Sequence, residues 1–167
     1  MKNSESLLPT FETPEIRPYR PGEPTVSSAR SALMARVRGA NTKPELIVRR
    51  AAHALGYRFR LHRRDLPGSP DLVFPRLRVA LFVHGCFWHR HENCRRATTP
   101  KTRTLFWSTK FEANVRRDQR VVAELAALGW RSEIIWECET INPEKLRVEL
   151  HSRLGSSRLS RIKGGNH

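Results

Sequence analysis

The sequence predicts one mixed α/β domain in which helices flank a small central sheet. Helical and strand-like periodicities alternate in the order α-α-β-β-β-α-β-α, Gly and Pro separate the elements, and two short segments are almost entirely apolar. A chain of 167 residues can hold one core with additional tails. We therefore expect a domain over residues 27–154, between a disordered Pro-rich arm (1–26) and a flexible basic tail (155–167).

A glycine separates the first two predicted helices. Residues 27–39 predict a short basic helix that Gly39 ends. The next helix begins near Thr42, which stands three residues before Glu45, the spacing of a capping box. Gly56 ends it after roughly three to four turns.

Two further helices are predicted in the second half of the chain. The pattern is helical from Thr104 to Leu128, where Gly129 follows, and again after Asn142, whose side chain can cap the last helix. The long helix is amphipathic, so one stripe of it should face the sheet. Its expected buried residues are Leu105, Phe106, Phe111, Val115, Val122, Leu125 and Leu128.

Four segments predict strands. Residues 57–62 alternate apolar and basic side chains, which is typical of a strand with one buried face. Residues 71–74 and 78–83 are nearly continuous apolar runs, which favours central positions in the sheet. Residues 131–138 supply the fourth strand.

The charge of the chain indicates a polyanionic partner. Lys and Arg total 31 against 16 Asp and Glu, a formal charge of +15, and nucleic acid is the commonest partner of such an excess. No apolar run approaches the roughly 20 residues that span a bilayer, and no secretory signal opens the chain. Three cysteines do not complete a disulfide framework. We expect a cytoplasmic protein, associated with the nucleoid through DNA.

One segment concentrates groups that rarely occur together. Residues 81–94 read LFVHGCFWHRHENC, with three histidines, two cysteines and the adjacent pair Phe87 and Trp88. A buried strand does not need the histidines, and a solvated loop does not need the aromatics. The segment therefore predicts a functional site with several roles.

The cysteines of this segment have the spacing of metal ligands. Cys86, His91 and Cys94 are separated by four and two residues, and Cys138 ends the last predicted strand. Zn²⁺ takes four such ligands in a tetrahedron, and this set would attach the loop to the sheet. Either of the other two histidines of the loop could replace His91, and the cysteines could instead be small buried hydrophobes.

A catalytic centre is predicted beside this loop. Asp71 opens a strand, and a tight hairpin would bring the main-chain oxygen of Val83 to the same end of the sheet, a pairing that suits Mg²⁺. His84 and His89 are the candidates for proton transfer near neutral pH, and Asp118 could orient one of them. Asp71 could equally cap a turn, and Asp118 could be a solvated charge.

Five segments together resemble a known family. They are NTKPE (41–45), LPGSPDLVF (66–74), FVHGCFWHRH (82–91), TLFWSTKFEANVRRD (104–118) and LGWRSEIIWEC (128–138). In order and spacing they resemble the very short patch repair (Vsr) mismatch endonucleases, over about residues 28–154. The resemblance implies a restriction-endonuclease-like fold of the PD-(D/E)xK type. It also implies nicking of one DNA strand beside the thymine of a T·G mismatch, which arises by deamination of 5-methylcytosine.

The resemblance also implies roles for single residues. Asp71 would bind Mg²⁺ through its carboxylate and Val83 through its main-chain oxygen, where the family often has a hydroxyl residue. His89 would be the general acid/base. The other catalytic residues would be His84, Glu45 and Asp118. The structural zinc ligands would be Cys86, His91, Cys94 and Cys138, in a loop one residue longer between the second and third ligands than the family pattern.

Aromatic side chains would recognise the mismatch. By the resemblance, Phe87, Trp88 and Trp107 would intercalate beside it from the major groove. Met34 and Val37, three residues apart on the first helix, could press against bases in the minor groove. A mispaired step costs least to unstack, so such a wedge would itself detect mismatches. Core packing is the alternative for Trp107, Met34 and Val37.

The sequence thus predicts a monomeric, Mg²⁺-dependent endonuclease with a structural zinc. Its expected partner is double-stranded DNA with a T·G mismatch; other repair proteins are candidate partners, and a membrane is not. Three alternatives stay open: a restriction-like or other PD-(D/E)xK nuclease, a zinc-stapled DNA-binding module without catalysis, and a hydrolase whose zinc the histidines bind.

Overall fold

The protein is described by a computed structural model that covers residues 40–61 and 63–155. Its elements are α1 (Lys43–Ala54), β1 (Leu72–Phe74), β2 (Val79–His84), α2 (Thr104–Ala127), β3 (Arg131–Trp136), a short 3₁₀ helix (Glu137–Thr140) and α3 (Pro143–Leu154). The predicted helix over residues 27–39, with Met34 and Val37, lies outside the described residues. Within the described ranges no helix is both long and apolar enough to cross a bilayer.

The three strands form one mixed sheet in the order β1-β2-β3. β1 runs antiparallel to β2, with Leu72 opposite Leu81. β2 runs parallel to β3, with His84 opposite Trp136. A small mixed sheet with helices around it confirms the predicted α/β class.

The strand predicted over residues 57–62 is wrong. Its described residues, 57–61, form an isolated antiparallel bridge, in which Arg60 and Val73 exchange backbone hydrogen bonds of 2.8 and 2.9 Å. Its aromatic members, Tyr57 and Phe59, do pack their rings edge-on against β1. The alternation therefore predicted burial correctly, although the segment pairs with β1 at one position only.

Both faces of the sheet are covered, which follows from the apolar character of β1 and β2. α1 and α3 pack on one face, with a core formed by Val48, Leu72, Phe74, Leu81, Ile135, Leu146 and Leu150. α2 packs on the other, with Val73, Ala80, Phe82, Val121, Leu125 and Trp130. Because side chains alternate along a strand, His84 follows Ala80 and Phe82 onto the α2 face.

The predicted caps of two helices are confirmed. Thr42 caps α1 and accepts the N–H of Glu45, and the Glu45 carboxylate in turn accepts the Thr42 hydroxyl at 2.8 Å. Asn142 caps α3 through two backbone N–H groups at 3.0 Å. Gly129, at φ +72, takes the left-handed conformation that ends α2.

The predicted buried stripe of α2 is mostly wrong. Phe111 and Leu125 are buried as expected, and Val121 is buried instead of its neighbour Val122. The predicted residues that are exposed are Leu105, Phe106, Val122 and Leu128. A helix of 24 residues extends about 36 Å, whereas a six-residue strand extends about 20 Å. The N-terminal part of the helix therefore extends beyond the sheet, whereas Leu125 near its C-terminal end is buried against it.

Candidate active site and metal centre

The hairpin between β1 and β2 brings Asp71 next to Val83. The Val83 N–H donates to Asp71 Oδ2 at 2.7 Å. In an extended strand the N–H and C=O of one residue point to the same side, so the Val83 carbonyl also leaves β2 on the side of Asp71. The adjacency that a shared cation requires is present, and the binding itself stays a prediction.

The electrostatics of Asp71 suit a cation. Burial raises the pKa of its carboxyl to about 6, and the charge of Glu45 adds to the effect, while the Val83 N–H and the Arg49 charge act against it. A buried carboxylate beside a second one is costly without a positive partner. Carboxylate and carbonyl oxygens are the ligands that Mg²⁺ prefers, so these residues fit that ion.

Glu45 combines its capping role with a position near Asp71. Its side chain is almost fully buried, and its carboxylate also accepts the Asn41 N–H at 2.8 Å and Arg49 Nη2 at 3.0 Å. The local sequence indicated the cap. It did not indicate Arg49, which lies one turn further along α1 and pairs with this carboxylate.

The raised pKa of Asp71 predicts a pH-dependent stability in magnesium-free buffer. Folding raises this pKa from 3.8 to about 6, so the stability contribution of Asp71 is present at low pH and is lost as pH rises through this interval. Asp71→Asn has no proton to lose, so it should gain free energy of unfolding relative to the parent by about 1.4 kcal/mol per pH unit between about pH 4 and 6. Urea unfolding of both proteins from pH 4.5 to 7.5 measures this gain.

The comparison must be made with the parent protein at each pH. Burial, with the His89 charge as the next cause, lowers the pKa of His84 to about 4, so its contribution is present above pH 6.5 and is lost as pH falls. The His84 trend is present in both proteins, so it cancels in the difference, although it opposes the Asp71 trend within the parent protein. A difference that stays constant with pH would contradict the prediction.

The two predicted catalytic histidines lie against each other beside Asp118. The rings of His84 and His89 stack with centroids 3.8 Å apart and planes 15° apart. His89 Nδ1 lies 2.6 Å from Asp118 Oδ2; because a carboxylate only accepts, Nδ1 carries the proton and Nε2 is left for the substrate. The lowered pKa of His84 keeps that ring neutral at pH 7.

A groove of about 310 Å³ opens beside these histidines. Its lining includes the polar residues His84, His89 and Asp118 and the apolar residues Val115, Val122 and Ile134. Val122 is exposed because it forms part of the wall of this groove and does not belong to the core. The groove can receive one edge of a substrate next to the free nitrogen of His89.

The predicted zinc ligands form a compact cluster. One donor atom from each of Cys86, His91, Cys94 and Cys138 lies within 4.8 Å of the others. His91 Nδ1 is 3.7 Å from Cys86 Sγ and 3.4 Å from Cys138 Sγ. A tetrahedral zinc with bonds of about 2.3 Å to sulfur and 2.0 Å to nitrogen places such atoms about 3.5 Å apart. The donor set therefore fits zinc, with His91 rather than another histidine of the loop.

The backbone between the second and third candidate ligands includes a residue in the left-handed region. Asn93, between the second and third candidate ligands, has a φ of +54, a left-handed value that asparagine tolerates better than most residues. Burial raises the pKa of Cys86 to about 12, so its thiol stays protonated in the metal-free protein. Zinc would displace that proton, because thiolate is the ligand form.

The predicted intercalating aromatics form one cluster. Phe87 makes edge contacts with Trp88, Trp107 and Phe111, with centroids between 5.1 and 5.4 Å apart. Phe87, Trp88 and Trp107 are half-buried, so each keeps part of its surface available. The Trp88 carbonyl accepts Asn114 Nδ2 at 2.9 Å, which ties the cluster to α2.

Sequence patterns missed some residues of this region. Phe106, which was assigned to the core, packs edge-on against Trp107, is 49% exposed, and carries the Arg103 guanidinium 4.9 Å above its ring. Asn114 and Trp136 acquire their contacts only when distant segments meet, and no spacing in the sequence marks them. For Phe106 the available signal was its position beside Trp107 and the basic residues before the helix.

Comparisons with known proteins give consistent results. Residues 25–96 match the family described as DNA mismatch endonuclease Vsr. The chain is 54% identical over 128 residues to the type II nicking enzyme V.XorIIP of Xanthomonas oryzae pv. oryzae, covering 77% of this chain and 93% of the relative. It is 43% identical over 116 residues to the DNA mismatch endonuclease Vsr of Escherichia coli, covering 68% and 74%. It is 35% identical over 125 residues to the type II nicking enzyme V.NmeAIP of Neisseria meningitidis, covering 75% and 89%.

Proposed function

Because the chain belongs to the Vsr family of DNA mismatch endonucleases, we propose that it nicks one DNA strand beside the thymine of a T·G mismatch. Such mismatches arise by deamination of 5-methylcytosine, and the nick would initiate very short patch repair. The proposal rests mainly on the hydrogen bond between the Val83 N–H and Asp71. Val83 is followed by His84, which ends β2 and stacks its ring on His89, so the candidate ion site and the candidate acid/base are adjacent.

The proposed reaction divides between an ion and the residues around it. Asp71 and the Val83 carbonyl would hold Mg²⁺, whose contribution when bound is to offset the charge that develops on the phosphate. His89 would exchange the proton through Nε2, because Asp118 occupies Nδ1 and fixes the tautomer. His84 stays neutral and buried, so it supports the ring of His89 without adding a competing charge.

The proposed structural zinc would position the recognition loop. Phe87 and Trp88 lie between the candidate ligands Cys86 and His91, so an ion on those ligands would hold both aromatics. The loop has little other apolar material, and metal binding would supply part of its folding free energy.

The arrangement of the histidines argues against a zinc hydrolase. The donor atoms of His84, His89 and Asp118 also lie within 4.8 Å of one another. Nitrogen lone pairs lie in the plane of the imidazole ring, however, and two stacked, nearly parallel rings direct them in parallel planes rather than at one ion. His89 Nδ1 is also engaged by Asp118.

A nicking assay tests the proposed function directly. A labelled T·G duplex and its fully paired counterpart are incubated with the zinc-loaded protein, with and without Mg²⁺. We expect a single nick beside the mismatched thymine, dependent on Mg²⁺ and absent from the paired duplex. Cleavage of paired DNA at a fixed sequence would instead identify a restriction-like nuclease, and mismatch binding without cleavage would identify a binding module.

Removing one aromatic of the wedge should reduce discrimination more than general affinity. Stacking contributes about 1–3 kcal/mol per base, so Phe87→Ala or Trp88→Ala should lower the preference for T·G over paired DNA roughly 5- to 150-fold. Fluorescence anisotropy with both duplexes measures this ratio. Val148→Ala removes an exposed apolar side chain from α3 and should leave the ratio unchanged. An equal loss of affinity for both duplexes would refute the wedge.

A further inference from the structure

We propose that Trp136 is a positioning residue that couples the metal-binding loop, which carries His89, to His84 on β2. Its ring stacks on His91 with centroids 4.2 Å apart and planes 5° apart. Its ring also meets His84 edge-on, at 5.5 Å and 75°. One indole therefore contacts a candidate zinc ligand and the histidine that supports His89. This inference rests on the proposed function, since it concerns the same catalytic centre.

Several hydrogen bonds fix the backbone at and near Trp136. It is the last residue of β3 and pairs with His84 in the parallel ladder. Its backbone N–H donates to Glu139 Oε2 at 2.7 Å, and Arg153 Nη2 pairs with Glu139 Oε1, also at 2.7 Å. Arg153 Nη1 donates to the carbonyl of Ile134 on the same strand. These bonds fix the backbone of Trp136, and the contacts with His91 and His84 set the orientation of its indole.

A continuous series of ring contacts leads from Trp136 to His89, the candidate acid/base. His84 contacts Trp136 on one side and stacks on His89 on the other, and His89 is bonded to Asp118. Close-packed rings keep their orientation because each fills the space beside the next. Loss of the indole would leave His84 free to rotate into the groove, and His89 would lose its supporting face. A displacement of about 1 Å at a catalytic group can lower a rate by about 10²-fold.

The consequence is a link between loop order and chemistry. His91 and Cys138 belong to the candidate zinc cluster, and Trp136 lies two residues before Cys138. His89 belongs to this loop, whereas His84 belongs to β2. A loop that is not correctly folded would therefore displace His89 directly, and by removing the His91 ring from the indole it would also disturb His84. Trp136 thus ties His84 on the sheet to the same loop that carries Phe87, Trp88 and His89.

Three variants separate this role from general stability. Trp136→Ala removes both ring contacts, whereas Trp136→Phe keeps a flat ring that can stack on His91. Trp130→Ala is the matched control, because it also removes a buried indole. Trp130 directly precedes β3, at the end of the strand opposite to Trp136, and its ring packs with Arg63 and Arg78. Every protein is prepared with saturating zinc, and its metal content and unfolding curve are recorded.

Two measurements read the coupling. In single-turnover nicking of a T·G duplex at saturating protein, Trp136→Ala should be slower by about tenfold or more, and Trp136→Phe should stay within about threefold of the parent. Proton NMR of the uncomplexed proteins should show the downfield Nδ1–H signal of the short His89–Asp118 bond in the parent and in Trp136→Phe. In Trp136→Ala this signal should broaden or disappear. The Kd for the mismatched duplex should change less than threefold in all variants.

Each outcome decides the proposal. An unchanged NMR signal in Trp136→Ala together with a rate within twofold of the parent would overturn it, as would equal losses in Trp130→Ala. Should Trp136→Ala not fold, Trp136→Leu, which keeps apolar bulk without a flat ring, takes its place under the same criteria. If the parent protein itself fails to nick T·G DNA, the proposed function is refuted, whereas the NMR comparison still decides the coupling.

Discussion

Asp71→Ala is expected to abolish nicking of a T·G duplex, by a factor of about 10³ or more, while mismatch binding stays largely intact. The carboxylate would be the one charged side chain that holds Mg²⁺, and such an ion supplies several kcal/mol of stabilisation to the charge that develops on the phosphate. Binding should survive because the aromatic cluster and the basic surface do not use Asp71. Nicking rates with Mg²⁺ and binding titrations without it measure the two effects separately.

Asp65→Ala is the matched control for this variant. Asp65 carries the same charge but is exposed and pairs with Arg63 on the surface. Its removal raises the net charge by one unit, as that of Asp71 does, so both variants change non-specific DNA affinity equally. Residual nicking above about a tenth of the parent rate in Asp71→Ala would refute its assignment as the ion-binding residue.

Loss of the candidate zinc is expected to have the second large effect. His91→Ala should lower the zinc content from one ion per chain, disorder the loop and weaken the preference for T·G over paired DNA by about tenfold or more. Zinc binding contributes roughly 10–16 kcal/mol in small zinc-finger peptides, where it determines folding. Here the two apolar clusters on the sheet do not include the loop ligands, so the core should remain folded while the loop is lost.

Metal analysis, hydrogen exchange and anisotropy together test this expectation. Loop amides of His91→Ala should exchange faster, whereas amides of β2 should stay protected. His53→Ala, which removes an exposed histidine from α1, should match the parent in every measurement. A parent protein that contains no zinc, or a His91→Ala protein with undiminished mismatch preference, would contradict the structural role of the ion.

Local patterns in the sequence predicted most elements correctly. β1, β2, β3, α1, α2 and α3 all lie within a few residues of their predicted bounds, because Gly, Pro and capping residues act within a turn of where they stand. The proximity of the candidate site residues could be predicted for a related reason. Cys86, His91 and Cys94 are close in sequence, and Asp71 and Val83 are joined by a short hairpin, so spacing alone limits their separation in space.

Contacts between distant segments could be decided only by the tertiary structure. Which of Val121 and Val122 faces the core depends on how α2 meets the sheet, and the same contact places Asp118 on His89. The approach of Glu45 to Asp71 likewise depends on how α1 packs.

The sequence by itself therefore determined the elements, their caps and the chemical types of the site. The tertiary structure alone decided that residues 57–61 form one bridge rather than a strand, and that Trp136 lies between His91 and His84. The physical reason is the distance along the chain over which each interaction acts. Backbone propensity and capping act over three or four residues, whereas ring stacking and strand pairing depend on which surfaces remain for each other once the core is packed.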